Sequence, residues 1–242
     1  ISFTEALQHF QSAELSESRG KVRMPGRQWG LAALLRCLWG PPSLRPQLWG
    51  ERELALAMAQ CALDDSERVH MRILQTIYRQ LTRSRLGCPR YGAHWEELGF
   101  QGRTGSSPVP GEIPRPIPKI QLNLPWSNSI LSQVPQPVPV LQTQLHCPLL
   151  DNFPFCIMSV NITRIVIQAL QEERLSRECN RRQQVIGVLN DLYAAAFLRL
   201  FCLWKREHGT ITDASFFLKE LELSTKKKPR QLLKSLEAYV SR

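Results

Sequence analysis

Val185-Ile186-Gly187-Val188-Leu189-Asn190-Asp191-Leu192-Tyr193-Ala194-Ala195-Ala196-Phe197-Leu198-Arg199-Leu200-Phe201-Cys202-Leu203 is the stretch on which the fold turns. Val185, Ile186, Leu189, Leu192, Tyr193, Ala196, Phe197, Leu200 and Leu203 recur at spacings of three and four, the period of a helix whose apolar side is buried. Outward from it the same period returns. Ile157, Val160, Ile162, Ile165, Val166, Ala169 and Leu170 predict a preceding helix, joined to the long one near Leu175-Ser176. On the other side, Thr212-Asp213 opens a helix carrying Phe216, Phe217, Leu218 and Leu221 as its apolar positions. Lys228-Pro229 opens a last helix with Leu232, Leu233, Leu236, Tyr239 and Val240, the proline sitting where a missing amide hydrogen costs nothing.

The N-terminal part follows the same grammar. Phe3, Ala6, Leu7 and Phe10 make a short amphipathic helix, and Trp29 to Trp39 an almost wholly apolar one stopped by Gly40-Pro41-Pro42. Gln47 to Leu63, with Leu48, Leu54, Leu56, Ala57, Met58 and Cys61 as its apolar positions, predicts a third. Asp64-Asp65-Ser66-Glu67 is an acidic, capping-type start for a helix with Val69, Ile73, Leu74, Ile77 and Leu81, ended by Gly87-Cys88-Pro89. No stretch alternates with the period of a strand, and no internal repeat is present, so the expected fold is all-α, helices packed on helices.

One region breaks the pattern. Ten of the 17 prolines lie between Pro108 and Pro148, where the only charged residues are Glu112, Arg115 and Lys119. An interior proline costs a helix about 3 kcal/mol and removes a backbone donor, so residues 103–152 read as an extended or disordered Pro-rich segment. No two of these prolines are three apart, which removes the usual Pro-x-x-Pro ligand of SH3 domains. The chain therefore reads as one helical domain over 1–242, with helical parts at 1–102 and 153–242 flanking the segment.

The bulk numbers exclude several functions. The chain has 242 residues, 43% of them hydrophobic, and 31 Lys and Arg against 21 Asp and Glu, a net charge of +10. Seven cysteines without a Cys-x-x-Cys pair fit neither a zinc site nor a disulfide framework, and Cys37, Cys61 and Cys202, set among Leu and Ala, are expected as buried thiols. Apolar runs such as Ile162 to Leu170 are broken by Arg or Gln before ~18 residues, so no spanning helix and no signal peptide are expected. Asn161-Ile162-Thr163 matches a glycosylation sequon but falls inside a helical apolar run. Arg68, Arg72, Arg79, Arg83, Arg85 and Arg90, and the run Lys226-Lys227-Lys228-Pro229-Arg230, read first as solvated faces and second as attraction for an anionic membrane surface; without interleaved aromatic residues they do not suit nucleic acid.

The most specific stretch is His94-Trp95-Glu96-Glu97-Leu98-Gly99-Phe100-Gln101-Gly102. With residues 1–11, Thr76-Ile77-Tyr78, residues 153–163 and Leu175-Ser176-Arg177-Glu178-Cys179-Asn180, it resembles the ELMO-domain family, whose signature begins Trp-x-x-x-Gly-Phe-Gln-Gly. Trp95, Gly99, Phe100, Gln101 and Gly102 carry that match. The resemblance implies an all-α domain that stimulates GTP hydrolysis on Arf or Arf-like small GTPases, in the cytoplasm and associated with the cytoskeleton or a membrane. It implies no metal and no cofactor of its own, since GTP and its magnesium belong to the partner. The family continues with a Thr-Asp-x-Arg-Gly element whose arginine is needed for activity. Here the stretch continues Arg103-Thr104-Gly105-Ser106-Ser107-Pro108-Val109-Pro110, the arginine position falls on Pro110, and residues 103–152 are expected to depart from the family. Proline supplies neither charge nor donor, and Arg103, though near, lacks the surrounding motif. Activity is thus expected to be impaired or lost, the alternative function being a non-catalytic helical scaffold.

Overall fold

In the computed structural model, residues 1–12, 42–61, 64, 66–82, 84, 87, 153 and 155–241 are described. They contain eight α-helices: α1 (Phe3–Ser12), α2 (Trp49–Gln60), α3 (Arg68–Thr82), α4 (Phe155–Gln171), α5 (Ser176–Arg182), α6 (Ile186–Arg206), α7 (Ala214–Lys227) and α8 (Pro229–Val240). Short 3-10 turns at Pro46–Leu48 and Ile211–Asp213 lead into α2 and α7. Among the described residues there is no strand, so the all-α expectation holds. The helix expected over Trp29–Trp39 and the Pro-rich segment lie outside the described residues.

The long apolar stretch is the axis of the fold. Helix α6 packs against α2, α4, α5, α7 and α8, and α4 also meets α2 and α7. Tyr193 and Phe197 are among the largest fully buried side chains, and Leu189, Leu192, Ala196 and Leu200 are sealed beside them. Burying each such Leu stabilises the fold by about 1.5–3 kcal/mol relative to leaving it in water. Only a strip of Arg199, Cys202, Lys205 and Arg206 faces outward. By length and composition α6 is apolar enough to cross a bilayer, contrary to the expectation that no run would be. Its most apolar window is 72% packed against protein, as in a core helix.

Several local expectations are corrected. The junction at Leu175-Ser176 holds a helix of its own, α5, too short for its period to show. It ends where Gln183 takes a left-handed conformation (φ 55°) and the Gln184 amide donates to the Cys179 carbonyl at 3.3 Å. Helix α3 ends at Thr82, before Gly87, and Thr82 Oγ1 donates back to the Tyr78 carbonyl. Cys202 is exposed and Cys61 only half-buried; Cys179 is the sealed thiol, which burial, reinforced by Glu51 and Glu178, pushes up to about 12. Cys37 lies outside the described residues. Val160 and Val240 lie at the surface, and Phe216, expected in the core beside Phe217, is 66% exposed.

Helix α6 closes against its neighbour through a glycine. His208 is left-handed (φ 50°) and the Gly209 amide donates to the Trp204 carbonyl at 2.8 Å. A Cβ on Gly209 would lie 2.6 Å from the Phe217 ring and 3.0 Å from Trp204, so only glycine lets this turn lie flat on that aromatic pair. The next helix starts on a capping box in which Thr210 and Asp213 bond each other's backbone reciprocally.

Candidate functional site

The signature residues Trp95, Gly99, Phe100, Gln101 and Gly102, together with Arg103 and Pro110, lie outside the described residues. The other family-like stretches are described, and they form the frame on either side. Residues 1–11 build α1, which packs on α2 and α3. The Ile1 backbone nitrogen donates to Thr76 Oγ1 at 3.0 Å, and Arg72 pairs with Glu5 at 2.8 Å. Thr76-Ile77-Tyr78 thus serves as the α3 side of this contact, with Ile77 buried.

A pair of histidines seals the same contact. His70 is buried (4% exposed), stacks on Phe10 with ring centroids 5.6 Å apart, and meets His9 edge-on at 5.9 Å. The Asp64 amide donates to His70 Nδ1 at 3.1 Å, which requires the neutral ring. Burial, then the neighbouring His9, lowers the His70 pKa, against the opposing pull of Glu67 and Asp64. The unfolded chain takes up a proton on this histidine near pH ~6.5, the folded chain only below that. Stability is therefore expected to fall as pH drops through ~6.5 toward the folded-state value, and His70→Gln to flatten that slope; urea midpoints at neutral and mildly acidic pH measure it.

Just before α4, the Phe153 ring packs edge-on against Phe197, Phe201 and Trp204 at 5.8, 5.8 and 5.3 Å. Tyr193 Oη of α6 donates to the Ser159 carbonyl of α4 at 3.4 Å, and Thr163 Oγ1 of α4 to the same carbonyl at 2.9 Å. Asn161 Nδ2 donates to the Ile157 carbonyl and Thr163 is buried, so the sequon is part of the helix's own bonding.

The stretch at 175–180 is a set of locks. Leu175, Ser176, Glu178 and Cys179 are buried. Asn180 brackets the chain before α2, its Oδ1 accepting from the Arg45 amide at 2.9 Å and its Nδ2 donating to the Ser43 carbonyl at 2.8 Å. Glu51 of α2 reaches across to accept from the Ile186 amide at 2.8 Å, capping α6 at its positive end. Arg177 is left facing outward.

At the end of α5, Arg182 joins three elements. Its guanidinium donates to Glu178 of α5 at 3.1 Å, to Asp191 of α6, and to Glu237 of α8 at 3.1 Å. Arg181 bonds the same Glu178 and, with Arg182, holds its carboxyl below the usual carboxylate range despite its burial. Sequence reasoning missed Glu51, Asn180 and Arg182, because their partners lie up to 137 residues away and no local period marks them.

The basic patches are only partly free. Arg72 is paired, and Lys226 turns inward to bond Glu172 and Glu222, both at 2.8 Å, which raises its own pKa. Arg68, Arg79, Lys227, Lys228 and Arg230 face outward; Arg83, Arg85 and Arg90 lie outside the described residues. Among the described residues no three His, Cys, Asp or Glu side chains gather as metal ligands would. The paired charges tie helices together, and the exposed cations are what a partner would meet.

Comparison with known proteins adds the lineage. The ELMO/CED-12 family model matches residues 53–107 and 134–218, so the segment expected to depart from the family is itself matched at 103–107 and 134–152. The chain is similar over its full length to proteins called ELMO domain-containing protein 3, at 48% identity to the Bos taurus and Homo sapiens sequences and 46% to that of Mus musculus. It spans 62% of the length of each of these relatives. No solved structure matches.

Proposed function

The chain belongs to the ELMO/CED-12 family, and from that premise we propose that it is a regulatory protein that binds an Arf or Arf-like small GTPase without accelerating hydrolysis. The observation that carries the second half is Pro110. It lies between the two blocks matched to the family, at the place where the resemblance puts the activating arginine. A guanidinium supplied in trans neutralises charge that develops on the equatorial phosphoryl oxygens, and a pyrrolidine ring offers nothing in its place. Binding needs less of the motif than catalysis, because contact area is spread over many residues while the finger is one.

A protein that reads a GTPase's state must bind the two nucleotide forms with different affinity. Immobilised chain is therefore expected to retain the GTP-loaded form of an Arf-like GTPase in preference to the GDP-loaded form. Equal retention of both would support the scaffold reading, in which the helices bind partners irrespective of nucleotide.

A further inference from the structure

We propose that the outer face of α7 is a membrane-docking stripe that seats on an anionic lipid surface. Its residues follow from helical spacing: Phe216, Lys219, Leu223 and Lys227 succeed one another at offsets of three, four and four, so they share one side of the helix. All four are exposed in the fold, Phe216 at 66% and Leu223 at 55%, while the opposite side buries Ala214, Phe217, Leu221 and Thr225. Ile211, on the turn that leads into α7, adds a third large apolar side chain that is 59% exposed.

The charges on this side are arranged for an outside partner. Glu220 is paired with Arg199 at 3.0 Å, and Glu222 with Lys226 at 2.8 Å, so the helix's acids are already answered. No carboxylate among the described residues pairs with Lys219 or Lys227. The stripe is thus net positive on a chain of net charge +10, with apolar tips standing between the lysines.

That combination selects the occupant. A second copy of the same stripe would set lysine against lysine. A stable protein interface needs about 800 Å² per partner, far more than two or three side chains on a convex ridge provide. An anionic bilayer needs no complementary groove. Lipid phosphates and carboxylates answer the lysines, and Phe216, Leu223 and Ile211 enter the headgroup layer, as on other interfacial helices. The proposal rests on α7 alone and does not depend on the GTPase reading.

The test is co-sedimentation of the full 242-residue chain with phosphatidylcholine vesicles, with and without phosphatidylserine. Binding is expected only with phosphatidylserine, and to weaken as salt is raised. The double variant K219Q/K227Q should weaken it roughly thirtyfold and Phe216→Ser about tenfold, with unchanged thermal melting because all three residues are exposed. The control R68Q/R79Q removes two exposed arginines from α3 and should leave binding as it was. No vesicle binding, equal binding to neutral vesicles, or an equal loss in the α3 control would overturn the proposal. So would stripe variants that bind vesicles normally but lose a protein partner, which would make α7 a protein-docking face.

Discussion

Replacing Arg182 with alanine is expected to destabilise the fold by about 2–3 kcal/mol. The side chain is only 16% exposed and serves carboxylates from α5, α6 and α8 at once. Asp191 and Glu237 are 45% and 61% exposed and recover water when released, so their share is small. Glu178 is 7% exposed and cannot, so the cost is chiefly that of a buried carboxylate left with a single cation. Arg181 still holds Glu178, which keeps the loss below the ~3–5 kcal/mol of a fully orphaned buried charge. Lysine at 182 should recover only part, because one ammonium cannot present a planar fork to three acids. The depressed pKa of Glu178 sets the pH window. Its ionised form stabilises the fold above the unfolded carboxyl's pKa, and that contribution is lost as pH falls through the lower folded value. The gap between native protein and R182A, read from urea melts, should therefore be full near neutral pH and close in acid. A melt unchanged at neutral pH would show that α5, α6 and α8 do not need the hub.

Helical periodicity made most of the fold legible because the buried sides of α1, α4 and α6 repeat over several turns. It failed where a helix is shorter than the pattern needs. Ser176–Arg182 carries buried Ser176, Glu178 and Cys179, a polar inner face that no apolar period announces. It failed again at Phe216, since adjacent phenylalanines point about 100° apart on a helix and only one of Phe216 and Phe217 can face α6 and α4. The partition of the Lys226–Arg230 run could not be read either. Lys226 turns inward to acids on α4's exit turn and on α7 itself, a choice made by tertiary contact.

The candidate site divides along the same line. The stretches around Thr76 and at 153–163 and 175–180 could be recognised as family-like from their residues, but their work becomes physical only in three dimensions: an α1 anchor, an aromatic re-entry at Phe153, and the Asn180 bracket. None of these performs chemistry. Their role is to hold the described helices to one another. The proposal about activity rests on a residue type, Pro110, that is read from the sequence alone.

In single-turnover assays with an Arf-like GTPase, saturating amounts of the chain are expected to leave GTP hydrolysis at its intrinsic rate. An arginine finger in trans raises such rates by ~10³–10⁵, or about 4–7 kcal/mol of barrier, so the two outcomes are far apart. Saturation has to be established first from the nucleotide-dependent binding, because an unbound protein would give the same flat trace. Arg103→Ala should then change nothing. Pro110→Arg should recover only a small part of the factor, since the residues before it read Thr104-Gly105-Ser106-Ser107-Pro108-Val109 rather than the family's Asp-Pro and Thr-Asp elements. An arginine without those neighbours supplies charge but not placement, and a reacting group misplaced by an ångström can lose about a hundredfold. Acceleration by the unaltered chain, abolished by Arg103→Ala, would instead make Arg103 the finger and return this protein to the activators.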